Sequence, residues 1–164
     1  MADEQEFIQL VSQLAEYEET NKIFSYHPYK KQLEFHHAKQ GDSLANQRCF
    51  MAGNKSGKTM AAAYETAFHL TGLYPDWWEG HRFDGPIKAL VAGVSNESTR
   101  DNPQQELFGD PMDKEKLGTT AVPKDCIAKV IKKAGLKECY DTVLVQHYTN
   151  EIPDGISTCM FRSY

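Results

Sequence analysis

The chain has 164 residues, a net charge of −5, and 40% apolar and 25% charged residues. This length leaves room for one domain with a sizeable core, and the negative charge excludes a protein that is basic over its whole surface. The apolar runs are too short to span a bilayer, and the Glu-rich N-terminus lacks the form of a signal peptide. We therefore expect a cytoplasmic globular protein with four reduced, packed cysteines.

Residues 3–22 predict an amphipathic helix, because apolar side chains recur there at helical spacing. The stripe consists of Phe7, Ile8, Val11, Leu14, Ala15 and Glu18, of which only the last is polar. We treat residues 1–24 as a separate unit and expect its stripe to pack on the rest of the domain. Docking to a partner protein is the alternative.

Residues 29–39 predict a short helix that begins after Pro28 and ends at Gly41. Gln32 lies on this helix, and its amide can both donate to and accept from the edge of an adenine ring. A solvated surface glutamine explains the residue equally well. Residues 47–51 then predict a strand that leads into the next motif.

The motif that organises the chain is a phosphate-binding loop followed by a helix. It consists of Ala52, Gly53, Asn54, Lys55, Ser56, Gly57, Lys58 and Thr59. Gly53 and Gly57 permit left-handed backbone, so that N–H groups can turn inward around phosphate oxygens. Lys58 is placed to bind the β- and γ-phosphates, and the Thr59 hydroxyl to bind Mg²⁺. The pattern departs from the strict one only at Ala52, where glycine is usual.

The helix after the loop is predicted over residues 58–70 and ends at Gly72. The following loop, residues 73–86, carries Trp77 and Trp78. These rings are expected to plug one end of the core, and stacking on nucleic-acid bases is the alternative. A nearly continuous run of apolar residues at 87–94 predicts a parallel strand covered on both faces.

Arg100 lies in a polar segment at the carboxyl end of that strand, where open α/β sheets place their ligands. It could stabilise charge on a transferring phosphate, in its own subunit or a neighbouring one. A surface ion pair is the alternative.

The remaining residues predict an amphipathic helix at 123–134 and a β-hairpin formed by residues 142–148 and 156–162. The turn of the hairpin is expected at Pro153, Asp154 and Gly155. Lysines on the exposed side of the helix could follow a phosphate backbone or form a solvated face. The whole pattern predicts an α/β fold of the P-loop NTPase type, with a mainly parallel sheet flanked by helices and a C-terminal hairpin.

Hydrolysis requires a further part, an apolar strand that ends in Asp with a neighbouring Glu. The predicted strands are followed instead by Ser95 and Gln146. We therefore expect this chain to bind nucleotide and to be inactive alone, with the catalytic carboxylates outside these residues.

These motifs together resemble the large terminase subunit of tailed double-stranded DNA phages, from about residue 26 to residue 164. The segments that carry the resemblance are residues 28–32 as an adenine-binding glutamine motif, 52–59 as the Walker A loop, the aromatic stretch 74–80, and the segments 98–101 and 160–164. Residues 25–164 would then be the N-terminal part of the ATPase domain, without its Walker B region and without the nuclease domain.

The resemblance implies an ATPase motor that packages double-stranded DNA into procapsids, using ATP and Mg²⁺, and a C-terminal nuclease that cuts concatemers. It also implies a homo-oligomeric ring on the portal protein, a small terminase subunit as partner, and the cytoplasm of the infected bacterium as location. Lys58 and Thr59 would bind phosphate and Mg²⁺, and Gln32 adenine.

One departure from the family concerns the Walker A loop, where many members have an arginine and this chain has Asn54. Lys55 or Arg100 is left as the stand-in for an arginine finger. Two other readings stay open: a different P-loop ATPase such as a helicase-like translocase, and a non-catalytic nucleotide-binding assembly protein.

Overall fold

The computed structural model describes residues 2–164, with side chains from Glu4 onward. The helices in this part are α1 Ala2–Thr20, α2 Lys30–His36, α3 Lys58–Thr71, α4 Asn96–Thr99 and α5 Gln105–Phe108. The strands are β1 Lys39–Gln40, β2 Ser43–Leu44, β3 Lys88–Gly93, β4 Ile127–Lys132, β5 Tyr140–Thr149 and β6 Ile152–Ser163. A π-helical turn, Arg100–Gln104, joins α4 to α5. None of the described helices has the length and apolar character needed to cross a membrane.

The main sheet has four strands in the order β3-β6-β5-β4. Only β3 and β6 are parallel, whereas β5 is antiparallel to both of its neighbours. The protein is thus mixed α/β as predicted, but the expected mainly parallel sheet is wrong for the described residues. The reason is local: β4, β5 and β6 follow one another through short connections, and such connections can join only antiparallel strands.

The helix predicted at residues 123–134 is wrong, because a 3-10 turn, Lys124–Cys126, and strand β4 occupy this stretch. The pairing of β4 with β5 shifts register at two places, between Ile127 and Lys129 and between Ile131 and Lys132. The first shift brings Ile127 and Val130, three residues apart, onto the same face of the sheet. A β-bulge of this kind reproduces the apolar spacing of a helix.

The predicted C-terminal hairpin is confirmed by the pairing of β5 with β6. Its turn, however, is formed by Asn150 and Glu151, which both have positive φ, of 51° and 65°. Two such residues match the type I′ geometry that suits a two-residue hairpin. The expected turn residues Pro153 and Gly155 instead lie within β6.

Helix α3 packs on one face of the sheet and contributes five residues to the hydrophobic core. It begins and ends where predicted, within one residue, and Gly72 closes it in left-handed conformation with its N–H donating to the Phe68 carbonyl. Ala63, Ala67 and Phe68 are buried in this core. Small alanines let the helix approach closely.

The aromatic loop after α3 plugs this core, as predicted. Trp78 is buried, packs edge-on against Phe68, and donates from its indole N–H to the His81 carbonyl at 2.9 Å. Trp77 is partly buried against the same cluster. The alternative role in stacking on bases has no support at Trp78, because its ring is covered.

Helix α1 forms where residues 3–22 predicted it, but the expected packing of its stripe on the domain is wrong. Phe7, Leu10, Leu14 and Tyr17 each expose more than half of their surface. Near its C-terminal end, the helix forms an ion pair of 3.3 Å between Glu19 and Lys116.

Helix α2 is shorter than the predicted 29–39, because the chain turns at His37 into the small hairpin β1–β2. Gly41 lies in the turn of that hairpin with φ of 65°, and it does not end the helix as predicted. Tyr29, with Gln32, caps the start of α2, so Pro28 precedes the cap and is not the first helical residue.

The strand predicted at residues 47–51 does not form in the described chain, where this segment is irregular and unpaired. Cys49 and Met51 are exposed, and Phe50 stacks on Phe35 with ring centroids 4.9 Å apart. A strand requires a neighbour for its backbone groups, and none of residues 2–164 provides one here.

Candidate functional site

The loop of residues 52–59 makes a sharp turn directly before α3. Lys55 and Gly57 have left-handed backbone, with φ of 59° and 73°, and Gly57 is the N-cap of α3. A Cβ on Gly57 would lie 2.6 Å from the Gln32 side-chain nitrogen and would displace that amide, so both the left-handed φ and this contact favour glycine there. The freedom predicted for Gly53 is not used, since its φ is not positive and a Cβ would meet nothing within 4 Å.

The backbone N–H groups of this loop lack acceptors within the described chain. No hydrogen bond there uses the N–H of residues 54–60 as donor, and the first backbone bond of the helix runs from the Ala61 N–H to the Gly57 carbonyl. The N-terminus of a helix leaves such donors unsatisfied and carries partial positive charge. An anion such as phosphate fits this donor set.

Lys58 crosses the loop from the first turn of α3. Its ammonium donates to the carbonyls of Ala52 at 2.8 Å and Gly53 at 2.6 Å, and lies 3.5 Å from the Ser56 hydroxyl. Ser56 in turn donates to the Gly53 carbonyl. The ammonium is therefore already held at the mouth of the loop, among neutral acceptors that a phosphate oxygen would outcompete.

Thr59 is exposed on the next position of α3 and lines a cavity of about 60 Å³ with Val91 and Pro103. No group of three or more His, Cys, Asp or Glu side chains within the described chain could hold a metal ion. An Mg²⁺ ion would therefore depend on phosphate oxygens, water and the single hydroxyl of Thr59, a ligand set that this ion accepts.

Gln32 is buried and hydrogen-bonded at both ends of its amide. Its oxygen accepts from the Tyr29 N–H at 2.8 Å, and its nitrogen donates to the Gly57 carbonyl at 3.0 Å. Gln32 therefore connects α2 directly to the phosphate-binding loop. The solvated-glutamine reading is wrong, and a contact with adenine would require one of these bonds to be exchanged.

A buried carboxylate, Glu65 of α3, lies behind the loop and was not singled out from the sequence. It interacts with His36 at 2.8 Å, with both terminal nitrogens of Arg48, and with His69 at 3.6 Å. Burial alone would raise the pKa of Glu65, but hydrogen bonds from His36, His69 and Arg48 hold it well below its usual range. The carboxylate is thus ionised, and it joins α2, the segment before the loop, and α3.

Arg100 lies at the start of the π-helical turn and does not reach the loop. Its guanidinium donates to the adjacent Asp101 at 2.6 Å, and no hydrogen bond or ion pair in residues 4–164 joins it to residues 52–59. The pairing raises the pKa of Arg100 and lowers that of Asp101. The surface ion pair foreseen as the alternative is present.

These features define an α/β protein with a candidate phosphate-binding loop at the N-terminus of a helix. The family model for "Terminase large subunit, T4likevirus-type, N-terminal" matches residues 49–164. The protein described as "Terminase, large subunit" from Salmonella phage P22 is 34% identical over the whole of this chain. No solved structure matched.

The chain belongs to the large terminase subunits of tailed phages. It spans 35% of the length of the P22 relative.

Proposed function

We propose that this chain binds ATP and Mg²⁺ through residues 52–59 and is the ATP-binding part of a DNA-packaging subunit. The observation that carries the proposal is the set of backbone N–H groups of residues 54–60, at the start of α3, for which the described residues provide no acceptor. Such a set supplies several donors and a favourable dipole to one anionic group.

Each functional residue has a specific task in this proposal. Lys58 exchanges the carbonyls of Ala52 and Gly53 for phosphate oxygens, and Thr59 contributes its hydroxyl to Mg²⁺. Bound Mg²⁺ supplies neutralisation of phosphate charge. A role for Arg100 as arginine finger would require its release from Asp101.

The complete subunit is proposed to act as a packaging ATPase on double-stranded DNA, in the cytoplasm of the infected bacterium. Family membership supports this role, and we propose the portal protein, a small terminase subunit and a homo-oligomeric ring as its assembly. A nuclease activity would belong to other parts of the polypeptide. In the described chain no strand ends in an acidic pair, so we expect nucleotide binding without turnover by these residues alone.

The test of this proposal is Lys58→Ala, measured by calorimetric titration with ATP and Mg²⁺. Loss of a charge-assisted contact to phosphate is expected to weaken binding roughly 10- to 100-fold. Lys39→Ala, which removes an exposed lysine from strand β1, is the matched control and should leave the affinity unchanged. In the complete subunit, Lys58→Ala should abolish packaging. Unchanged ATP affinity in Lys58→Ala would refute the proposed site.

A further inference from the structure

Arg48 lies four residues before the phosphate-binding loop and is held by two other elements of the chain. One terminal nitrogen of its guanidinium donates to the carbonyls of Phe35 and His36, at 3.1 and 3.2 Å. The same nitrogen donates to one oxygen of Glu65 at 3.1 Å, and the other terminal nitrogen donates to the second oxygen. Arg48 thus joins the C-terminal end of α2 to the middle of α3.

The contact between Arg48 and Glu65 fixes an orientation as well as a distance. A planar guanidinium that meets a carboxylate through two nitrogens is restricted in direction, which a lysine ammonium is not. The side chains of Arg48 and Glu65 are only 19% and 8% exposed. Replacing a buried ion pair by apolar residues is often neutral for stability. What this pair adds to the fold is therefore a defined direction for the chain at Arg48.

Helix α2 also contacts the other end of the loop. Gln32 and His36 are four residues apart on α2 and both are buried, so they lie on the same face of the helix. Gln32 donates to the Gly57 carbonyl at 3.0 Å, and His36 contacts Glu65 at 2.8 Å. The chain is therefore held to one helix on both sides of the loop, at Arg48 before it and at Gly57 after it.

The path from Arg48 to the groups that bind the Lys58 ammonium is short. Three residues separate Arg48 from Ala52, and four residues of extended chain span at most about 14 Å. The carbonyls of Ala52 and Gly53 are the acceptors of the Lys58 ammonium, at 2.8 and 2.6 Å. A change in the course of the chain at Arg48 would therefore move the groups that orient Lys58.

We propose that Arg48 is a positioning residue for nucleotide binding, which sets the course on which the chain enters residues 52–59 through its contacts with Glu65 and the end of α2. This role rests on the proposed function, because it assigns Arg48 a task in that site. The terminal nitrogens of Arg48 are bound by protein acceptors. Arg48 therefore acts through the backbone and not on phosphate.

The experiment is Arg48→Lys, which keeps the positive charge but cannot contact both Glu65 oxygens and the α2 carbonyls at once. Calorimetric titration with ATP and Mg²⁺ should show a roughly tenfold weaker affinity. Titration with tripolyphosphate and Mg²⁺ should show the same loss, because this probe has no base. Val143→Ala, in the core on β5, is the control, which should lower the melting temperature and leave both affinities unchanged.

A second measurement needs no ligand. Cys49 is exposed next to Arg48, and the other three cysteines are buried, so a nitroxide label will attach to Cys49 in the folded chain. The electron paramagnetic resonance lines of the label should narrow in Arg48→Lys, because the chain there loses its fixed direction. Glu65→Asp, which shortens the partner by one methylene, should narrow them as well, and Val143→Ala should keep the wild-type spectrum.

The outcomes separate this role from the proposed function. If Lys58→Ala loses affinity but Arg48→Lys and Glu65→Asp do not, the positioning role is wrong and the proposed site stands. A wild type that binds neither ATP nor tripolyphosphate would overturn both. Weaker affinity in Arg48→Lys with an unchanged spectrum of the label, or an equal loss of affinity in Val143→Ala, would also overturn the positioning role.

Discussion

At the residue scale, Gln32 has two competing roles that the same amide could perform. The motif favours recognition of adenine, whereas the contacts in the folded chain make Gln32 a tether between α2 and Gly57 of the loop. If Gln32 only holds the loop backbone in place, it should affect the binding of every nucleotide, whatever its base. If Gln32 binds the adenine ring, it should affect the affinity for ATP alone. The two roles therefore differ in nucleotide selectivity.

Gln32→Glu separates these roles, because a carboxylate still accepts from the Tyr29 N–H but cannot donate to the Gly57 carbonyl. We expect the affinities for ATP and for GTP to fall together, by about tenfold, since the partly buried Gly57 carbonyl loses its donor and faces a negative charge. Competition binding with both nucleotides measures this. Gln40→Glu in exposed strand β1 is the control for the same change of charge. A loss confined to ATP would show that Gln32 reads adenine.

At the element scale, the sequence predicted the pieces whose signals are local. Helix α3 has a glycine at each end and alanines on its buried face, and the hairpin of β5 and β6 has a short apolar run in each strand, at residues 143–145 and 159–161. Strand β4 was predicted as a helix because register shifts gave it helical spacing. A β-bulge depends on pairing with the partner strand, so it cannot be predicted from the sequence of β4 alone.

The predicted strand at 47–51 and the predicted packing of the α1 stripe were wrong for another reason. In the described chain, neither segment has a neighbour that pairs with it or covers it. The apolar residues that suggested burial, Met51 in the first and Phe7 and Leu14 in the second, are exposed. Periodicity predicts which face is apolar but not what covers it. The loop motif at 52–59 was predictable because its donors come from consecutive residues.

Two glycines with similar backbone angles allow a test of how tightly α3 is joined to β5. Gly72 has φ of 73°, and a Cβ there would lie 2.0 Å from the Tyr148 carbonyl oxygen, whereas at Gly41, with φ of 65°, it would meet nothing within 4 Å. Gly41→Ala should cost about 1 kcal/mol from left-handed strain alone. Gly72→Ala should cost about 2–4 kcal/mol, because backbone must also move. Urea denaturation measures the free energy of unfolding of both variants. Equal losses would show that the Tyr148 backbone moves away from residue 72 without a cost in stability.

At the scale of the whole molecule, the cluster around Glu65 connects parts that are distant in sequence. His36 receives a contact of 3.1 Å from the Tyr26 hydroxyl, and His69 one of 3.0 Å from Tyr74 in the aromatic loop. Arg48, which lies in the segment before the phosphate-binding loop, also binds Glu65. No motif announces this arrangement, because its members become neighbours only in the fold. Loss of this cluster should therefore destabilise the packing of all these segments together.

The ionised Glu65 predicts how the free energy of unfolding depends on pH. Its pKa is lowered in the folded chain, whereas the unfolded carboxyl titrates near its ordinary value of about 4.3. The unfolded state therefore binds more protons in acid, so stability from Glu65 is fully present above about pH 5 and is lost progressively as the pH falls through 4 towards the folded pKa.

Glu65→Gln should remove that acid-dependent part and lower the free energy of unfolding at pH 7 by about 2–4 kcal/mol, because Arg48 loses its counter-charge in a largely buried site. Urea denaturation at a series of pH values between neutrality and the acid limit of folding measures both effects. Glu115→Gln, which removes an exposed carboxylate, should keep the acid slope of the wild type. If Glu65→Gln kept that slope as well, the acid sensitivity would lie in other carboxylates. The cluster would then hold the fold together by packing and neutral hydrogen bonds.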